Sequence, residues 1–305
     1  MLKQILTTFL FLTCLSALAQ NGKIVSKTLI NLQKDPLWKM ITVNDTLIDR
    51  YKHVSDVLLY EIVYMSDSLE IKGYISEPKK PGKYPVIIFN RGGNRDFSTM
   101  NPLLMIVYTS SLVANGYVVL ASQYREALGA GGKDEFGGAE VNDILNLTIT
   151  VRQLENTDPE RMGLFGWSRG GMMTWLTLQR DHQFKTAVVG NGVSDLLKRV
   201  PERPDMETNV YAECIPNYWE NKEAELKKRS VIYWADELPK STSLLIVCGS
   251  NDERVNPGNS RNLAEKLKEL NYDFEFHEFE TDHRFRGKRD DLNVLLVEWF
   301  NRKLK

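Results

Sequence analysis

Cysteine is scarce in this sequence, three residues in 305, and only Cys214 and Cys248 lie beyond the first nineteen positions. Two thiols exclude a disulfide framework, and Cys248, inside Leu244-Leu245-Ile246-Val247-Cys248, reads as a buried structural thiol. Histidine is nearly as sparse: His53, His182, His277 and His283 are the four. No spacing among them and the cysteines resembles a zinc site, so no metal is expected. Charge of one sign is also lacking, with 39 Lys and Arg against 40 Asp and Glu. That balance points away from nucleic acid or an anionic surface as a partner.

Long hydrophobic runs are missing after residue 19. The one apolar stretch, Ile5 to Leu18, follows Met1-Leu2-Lys3 and ends in Ala17-Leu18-Ala19. It is too short for a comfortable membrane span and reads as a secretory signal over residues 1–19. The expectation is an exported protein, periplasmic or extracellular, with no stable membrane anchor after cleavage. Cleavage removes Lys3 and no acidic residue, which takes the formal charge from -1 to -2. About 285 residues remain, enough for one large α/β domain. Residues 20–56 are too few and too polar for a second domain and read as an extension lying on a domain of residues 57–305.

From residue 84 onward short β-branched runs alternate with amphipathic helix patterns, which predicts a mostly parallel sheet with helices on both faces. The expected strands are Tyr84 to Phe89, Tyr117 to Ser122, Met162 to Phe165, Thr186 to Val189, Leu244 to Gly249 and Phe274 to Phe279. Helices are expected over Leu103 to Ala114, Ala139 to Leu154, Arg169 to Arg180, Ser260 to Leu270 and Asp291 to Lys303. Upstream, Val57 to Met65 and Leu69 to Ser76 alternate apolar and polar residues across Ser66-Asp67-Ser68, predicting an antiparallel leading hairpin. Over residues 194–240 the alternation breaks into a polar stretch with Pro201, Pro204 and Pro216 and the aromatics Tyr211, Tyr218, Trp219, Tyr233 and Trp234. This insertion reads either as a lid over a site or as a solvated helical excursion.

Chemistry concentrates at three places. Gly166-Trp167-Ser168-Arg169-Gly170-Gly171 joins an apolar run to a helical pattern, and glycine two positions before and after a serine fits a sharp strand-to-helix turn that exposes Oγ. In the α/β-hydrolase arrangement the partners follow in the order Ser, Asp, His. Asp252 stands just past the strand ending at Gly249, where a carboxylate faces the crevice at the carboxyl ends of parallel strands. His283 stands just past the next strand. His277 is inside that strand and projects from the sheet face, away from the tips. An oxyanion hole needs two donors, one from the N–H of Arg169 and the other from the loop Asn90-Arg91-Gly92-Gly93-Asn94-Arg95, through Arg91 or Gly92.

With these motifs, residues 57 to 303 resemble the catalytic domain of the prolyl oligopeptidase family of serine peptidases, within the α/β-hydrolase superfamily. Tyr124-Arg125 with the Gly129 to Gly132 run, and Arg229 to Asp236 before the acid-bearing strand, are similar to further family segments. The resemblance implies an α/β-hydrolase fold and a catalytic triad of Ser168, Asp252 and His283 that cleaves a small peptide through an acyl-enzyme, without a cofactor. It also makes Arg254, two residues after the aspartate, a substrate-binding residue; the alternative is a surface ion pair with Glu253. Three departures stand out. Arg91 and Arg169 occupy positions where many members carry tyrosine, and the propeller of full-length members has no counterpart in these residues. The alternative substrate is therefore a carboxylic ester, for instance an acylated carbohydrate. A non-catalytic binding protein on the same scaffold is disfavoured, because no triad member is missing.

Overall fold

The computed structural model describes residues 20–305; the apolar run read as a secretory signal lies outside the described residues. Nine strands form one sheet. In chain order they are β1 (Ile24–Leu29), β2 (Val57–Ser66), β3 (Leu69–Pro78), β4 (Tyr84–Asn90), β5 (Val118–Ser122), β6 (Thr157–Trp167), β7 (Thr186–Gly190), β8 (Ser243–Gly249) and β9 (Phe274–Phe279). Their spatial order is β1-β2-β3-β5-β4-β6-β7-β8-β9. Pairing is antiparallel from β1 to β5 and parallel from β5 to β9.

The parallel strands inside the sheet are buried on both faces, which explains their apolar runs, whereas β9 at the edge alternates and has no fully buried residue. Within β4, Val86 and Ile88 enter one core while Ile87 and Phe89 enter the other. The first core is roofed by α2 (Val141–Val151), α3 (Arg169–Arg180) and α6 (Gly258–Glu269); the second by α1 (Pro102–Ala114) and α7 (Arg289–Leu304). Helix α1 starts where the sequence provides a cap: the Asn101 side chain accepts from Leu104 N–H at 2.9 Å, and Pro102 supplies a preset φ.

The leading hairpin is β2 and β3. It turns through Asp67 and Ser68, both left-handed (φ 49° and 68°), as a two-residue hairpin loop requires. Outside it lies β1, drawn from the segment read as an extension, so the outer edge of β2 is paired. The insertion is built on α4 (Leu196–Glu202) and α5 (Tyr218–Lys228). Val210, Tyr211, Tyr218, Leu226 and Trp234 join its underside to the first core. Cys248 and Cys214 are both free and buried, and burial pushes their thiols up to about 12 and about 11. Among the described residues no helix is long and apolar enough to cross a membrane.

Candidate active site

Strand β6 runs into α3 through Ser168, whose backbone is forced to φ 59°, ψ -123°. The flanking glycines permit that bend. A Cβ on Gly166 would stand 2.2 Å from the Gly170 carbonyl oxygen, and one on Gly170 would stand 1.9 Å from that of Asn90. Ser168 N–H donates to the Gly190 carbonyl at 2.9 Å, tying the bend to β7. As the first residue of α3, Arg169 has an N–H with no partner inside the helix.

Two strand tips away, Asp252 and His283 meet. His283 Nδ1 lies 2.7 Å from Asp252 Oδ2, while Asp252 Oδ1 accepts from the N–H groups of Arg254 (2.8 Å) and Val255 (2.9 Å). The carboxylate is buried and its orientation fixed by three bonds. A residue absent from the sequence reading holds this corner. Asn191, at the tip of β7 with φ 45°, donates from Nδ2 to the His283 carbonyl (3.0 Å) and accepts at Oδ1 from Gly249 N–H (2.8 Å). Its own N–H donates to the Val247 carbonyl at 2.8 Å, so the loop carrying His283 is fastened to the ends of β7 and β8. Ser168 and His283 line one cavity, and no hydrogen bond joins their side chains. Catalytic contacts of this kind commonly tighten only when substrate binds.

The loop after β4 lies against the elbow: a Cβ on Gly92 would be 3.2 Å from both Ser168 Cβ and the Trp167 carbonyl oxygen. The Arg91 side chain turns beneath this loop and is almost wholly buried. Its guanidinium donates to the carbonyls of Gln123 (2.8 and 2.6 Å), Gly92 (3.0 Å), Arg95 (2.9 Å) and Phe97 (3.4 Å). Burial pulls its pKa down to about 10. Arg91 therefore shapes the loop from below, through a side chain whose partners the sequence did not reveal.

Arg169 is the other unforeseen anchor. Its guanidinium, 3% exposed, bonds Asp134 through two nitrogens (2.6 and 2.7 Å), Glu140 at 2.5 Å and the Gly93 carbonyl at 2.9 Å. Phe136 stacks 4.6 Å from it. Burial alone would lift the Asp134 carboxyl, but Arg169 and the N–H donors of Arg95 and Phe136 outweigh it and hold the group well below the usual carboxylate range. Glu140 shifts upward, because burial and the neighbouring Asp134 charge outweigh the pull of Arg169. Burial works against the Arg169 charge, yet the two carboxylates raise its pKa. One cation shared by two buried carboxylates thus joins helix α3, the loop after β4 and the glycine-rich loop after β5.

Over Ser168 opens a cavity of about 450 Å³. Phe89, Met100, Tyr108 and Trp167 form its apolar wall; Arg199, Arg203 and Met206 come from the insertion, and Glu253, Arg254 and Arg284 from the strand-tip loops. Arg254 is exposed at the rim, and its guanidinium makes no ion pair with Glu253 or any other described residue. Among the described residues no group of three or more His, Cys, Asp or Glu side chains is placed to hold a metal ion. The arrangement can present a hydroxyl, a carboxylate-oriented imidazole and free N–H groups to one carbonyl carbon.

Residues 106–305 match the model of the prolyl oligopeptidase family. The uncharacterized peptidase YtmA of Bacillus subtilis (strain 168) is 28% identical over 250 residues, covering 81% of this chain and 95% of that protein. A probable dipeptidyl-aminopeptidase B of Trichophyton verrucosum is 27% identical over 206 residues, 65% of this chain but only 22% of that protein. The structure of Pyrococcus horikoshii acylaminoacyl peptidase superposes with a TM-score of 0.69 at 22% identity, over 85% of this chain and 44% of that one, a likeness of fold.

Proposed function

The chain belongs to the prolyl oligopeptidase family of serine peptidases, and from that premise we propose that it cleaves peptide bonds through an acyl-enzyme formed on Ser168. The carrying observation is the buried Asp252–His283 hydrogen bond of 2.7 Å at two strand tips, opening on the same cavity as the bent Ser168. His283 Nε2 takes the Ser168 proton as Oγ attacks the carbonyl carbon. Asp252 fixes the tautomer and stabilises the imidazolium. The N–H groups of Arg169 and Gly92 receive the oxyanion, and the intermediate collapses as His283 hands the proton to the leaving amine. Water then attacks the acyl-enzyme by the same route in reverse. Arg254, unpaired at the rim, holds a substrate carbonyl. The amino-terminal apolar run supports a site of action outside the cytoplasm, periplasmic or extracellular.

Kinetics on matched dipeptidyl p-nitroanilides and short-chain p-nitrophenyl esters test the reading. Amide turnover lost in Ser168→Ala is expected. Ester turnover with no amide cleavage would contradict the peptidase assignment and favour a carboxylic-ester hydrolase.

A further inference from the structure

The cleft above Ser168 is lined by six arginines and a single carboxylate, Glu253. Three of the six are accounted for. Arg91 is bonded to carbonyls, Arg169 to Asp134 and Glu140, and Arg203 to the exposed Asp205 (3.1 and 3.0 Å). Arg254 and Arg284 reach solvent. Arg199, on α4, does neither: it is 5% exposed, its Nη1 is buried with no hydrogen-bond partner, and no carboxylate among the described residues pairs with it. A buried guanidinium without a counter-charge is costly, and cores normally neutralise one.

The Tyr211 hydroxyl lies against Arg199, buried and without a well-formed hydrogen bond. Burial raises that hydroxyl's pKa, and the neighbouring Arg199 charge works in the opposite direction. The Tyr211 ring packs on Phe136 with centroids 5.1 Å apart, and Phe136 lies over Arg169, the residue after the nucleophile. Arg199 and Phe136 both line the cleft at the end where α3 begins, and Tyr211 stands behind them, packed on Phe136. His283 protonates the leaving amine, so the leaving group departs toward the imidazole and the acyl part occupies the α3 end.

We propose that Arg199, backed by Tyr211, forms a carboxylate-binding specificity pocket with Arg203 at its mouth, and that the protein cleaves on the carboxyl side of aspartate or glutamate. This rests on the acyl-enzyme reading above. The substrate carboxylate supplies the counter-charge Arg199 lacks, and Tyr211 supports the guanidinium from behind. The methylenes of glutamate lie along Phe136 and Val193, which also line the cleft.

The test compares Ala-Glu and Ala-Gln p-nitroanilides, with free and acetylated amino termini, on wild type, Arg199→Gln and Arg199→Lys. These leaving groups carry no carboxylate, so any preference belongs to the acyl side. kcat/KM for Glu is expected to exceed that for Gln by at least about tenfold, with Arg199→Gln removing the difference by lowering Glu turnover more than Gln turnover. Arg199→Lys retains part of the preference. Equal turnover of Glu and Gln by wild type, or equal losses on both in Arg199→Gln, overturns the proposal. So does an Arg199 dependence seen only with longer peptides bearing a free terminal carboxylate, which would place the anion on the leaving side. A fluorophosphonate probe separates the two claims: absence of Ser168 labelling counts against the acyl-enzyme, while the pocket is then read by thermal melting. N-acetyl-Ala-Glu-amide should raise the Tm of wild type and leave that of Arg199→Gln unchanged, and no shift in either overturns the pocket.

Discussion

Asn191 carries more of the site than its size suggests. Its two side-chain bonds, to the His283 carbonyl and the Gly249 N–H, set where the imidazole stands relative to the elbow. Asn191→Ala leaves the buried Gly249 N–H without its acceptor, which costs about 1–3 kcal/mol. A misplaced imidazole lowers kcat by about 10- to 100-fold with KM little changed; equal changes in both constants would indicate general unfolding instead. Asp252→Asn keeps the shape of the corner and removes the charge that orients His283, and a kcat loss on the order of 10⁴ is expected. The sequence disclosed that Ser168, Asp252 and His283 would stand at the carboxyl ends of parallel strands, because glycine-flanked and strand-terminal positions leave a local trace. Asn191 leaves none. An asparagine after a strand reads as an ordinary turn residue, and its partners are fixed only when three strands align.

At the scale of elements, the loop between β5 and α2 is where sequence reasoning reached least far. The sequence offered only the likeness of Tyr124-Arg125 and the Gly129 to Gly132 run to a family segment, and it left Asp134 and Glu140 without a role. Instead Tyr124, Glu126, Leu128 and Phe136 adopt positive φ, folding Asp134 and Glu140 inward onto Arg169. Such pairing depends on backbone conformations that composition does not encode. The cluster gives a pH signature. Glu140's folded pKa lies above its unfolded value of about 4.3, so its contribution is fully present below that pH and is lost as pH rises through the folded value. Asp134 has the opposite sign: its folded value is depressed, so its contribution holds above about pH 3.9 and is lost only in acid. Glu140→Gln removes the first slope and keeps the second. The Tm difference, variant minus wild type, should therefore grow by a few °C from about pH 4 to about pH 7. A difference constant across that range would contradict the assigned shift.

Over the whole molecule, the parallel half of the sheet was legible because strands buried on both faces must be continuously apolar. The runs at Tyr84 and Leu244 begin β4 and β8 within a residue of their expected starts, while β9, at the edge, was legible from its alternation of Phe with polar residues. β1 was not, since an outer strand with one partner and mostly exposed side chains carries no such pattern. The insertion was visible as a break in alternation, but its floor of Val210, Tyr211 and Tyr218 and its arginines in the cleft became apparent only in the folded chain. In the proposed mechanism all of these parts converge on Ser168 Oγ. The most direct measurement is intact-mass analysis after a fluorophosphonate probe: the account predicts one adduct per chain, on Ser168, abolished in Ser168→Ala and slowed at least about 10³-fold in His283→Ala. An unlabelled folded protein, or equal labelling of Ser168→Ala, would contradict it.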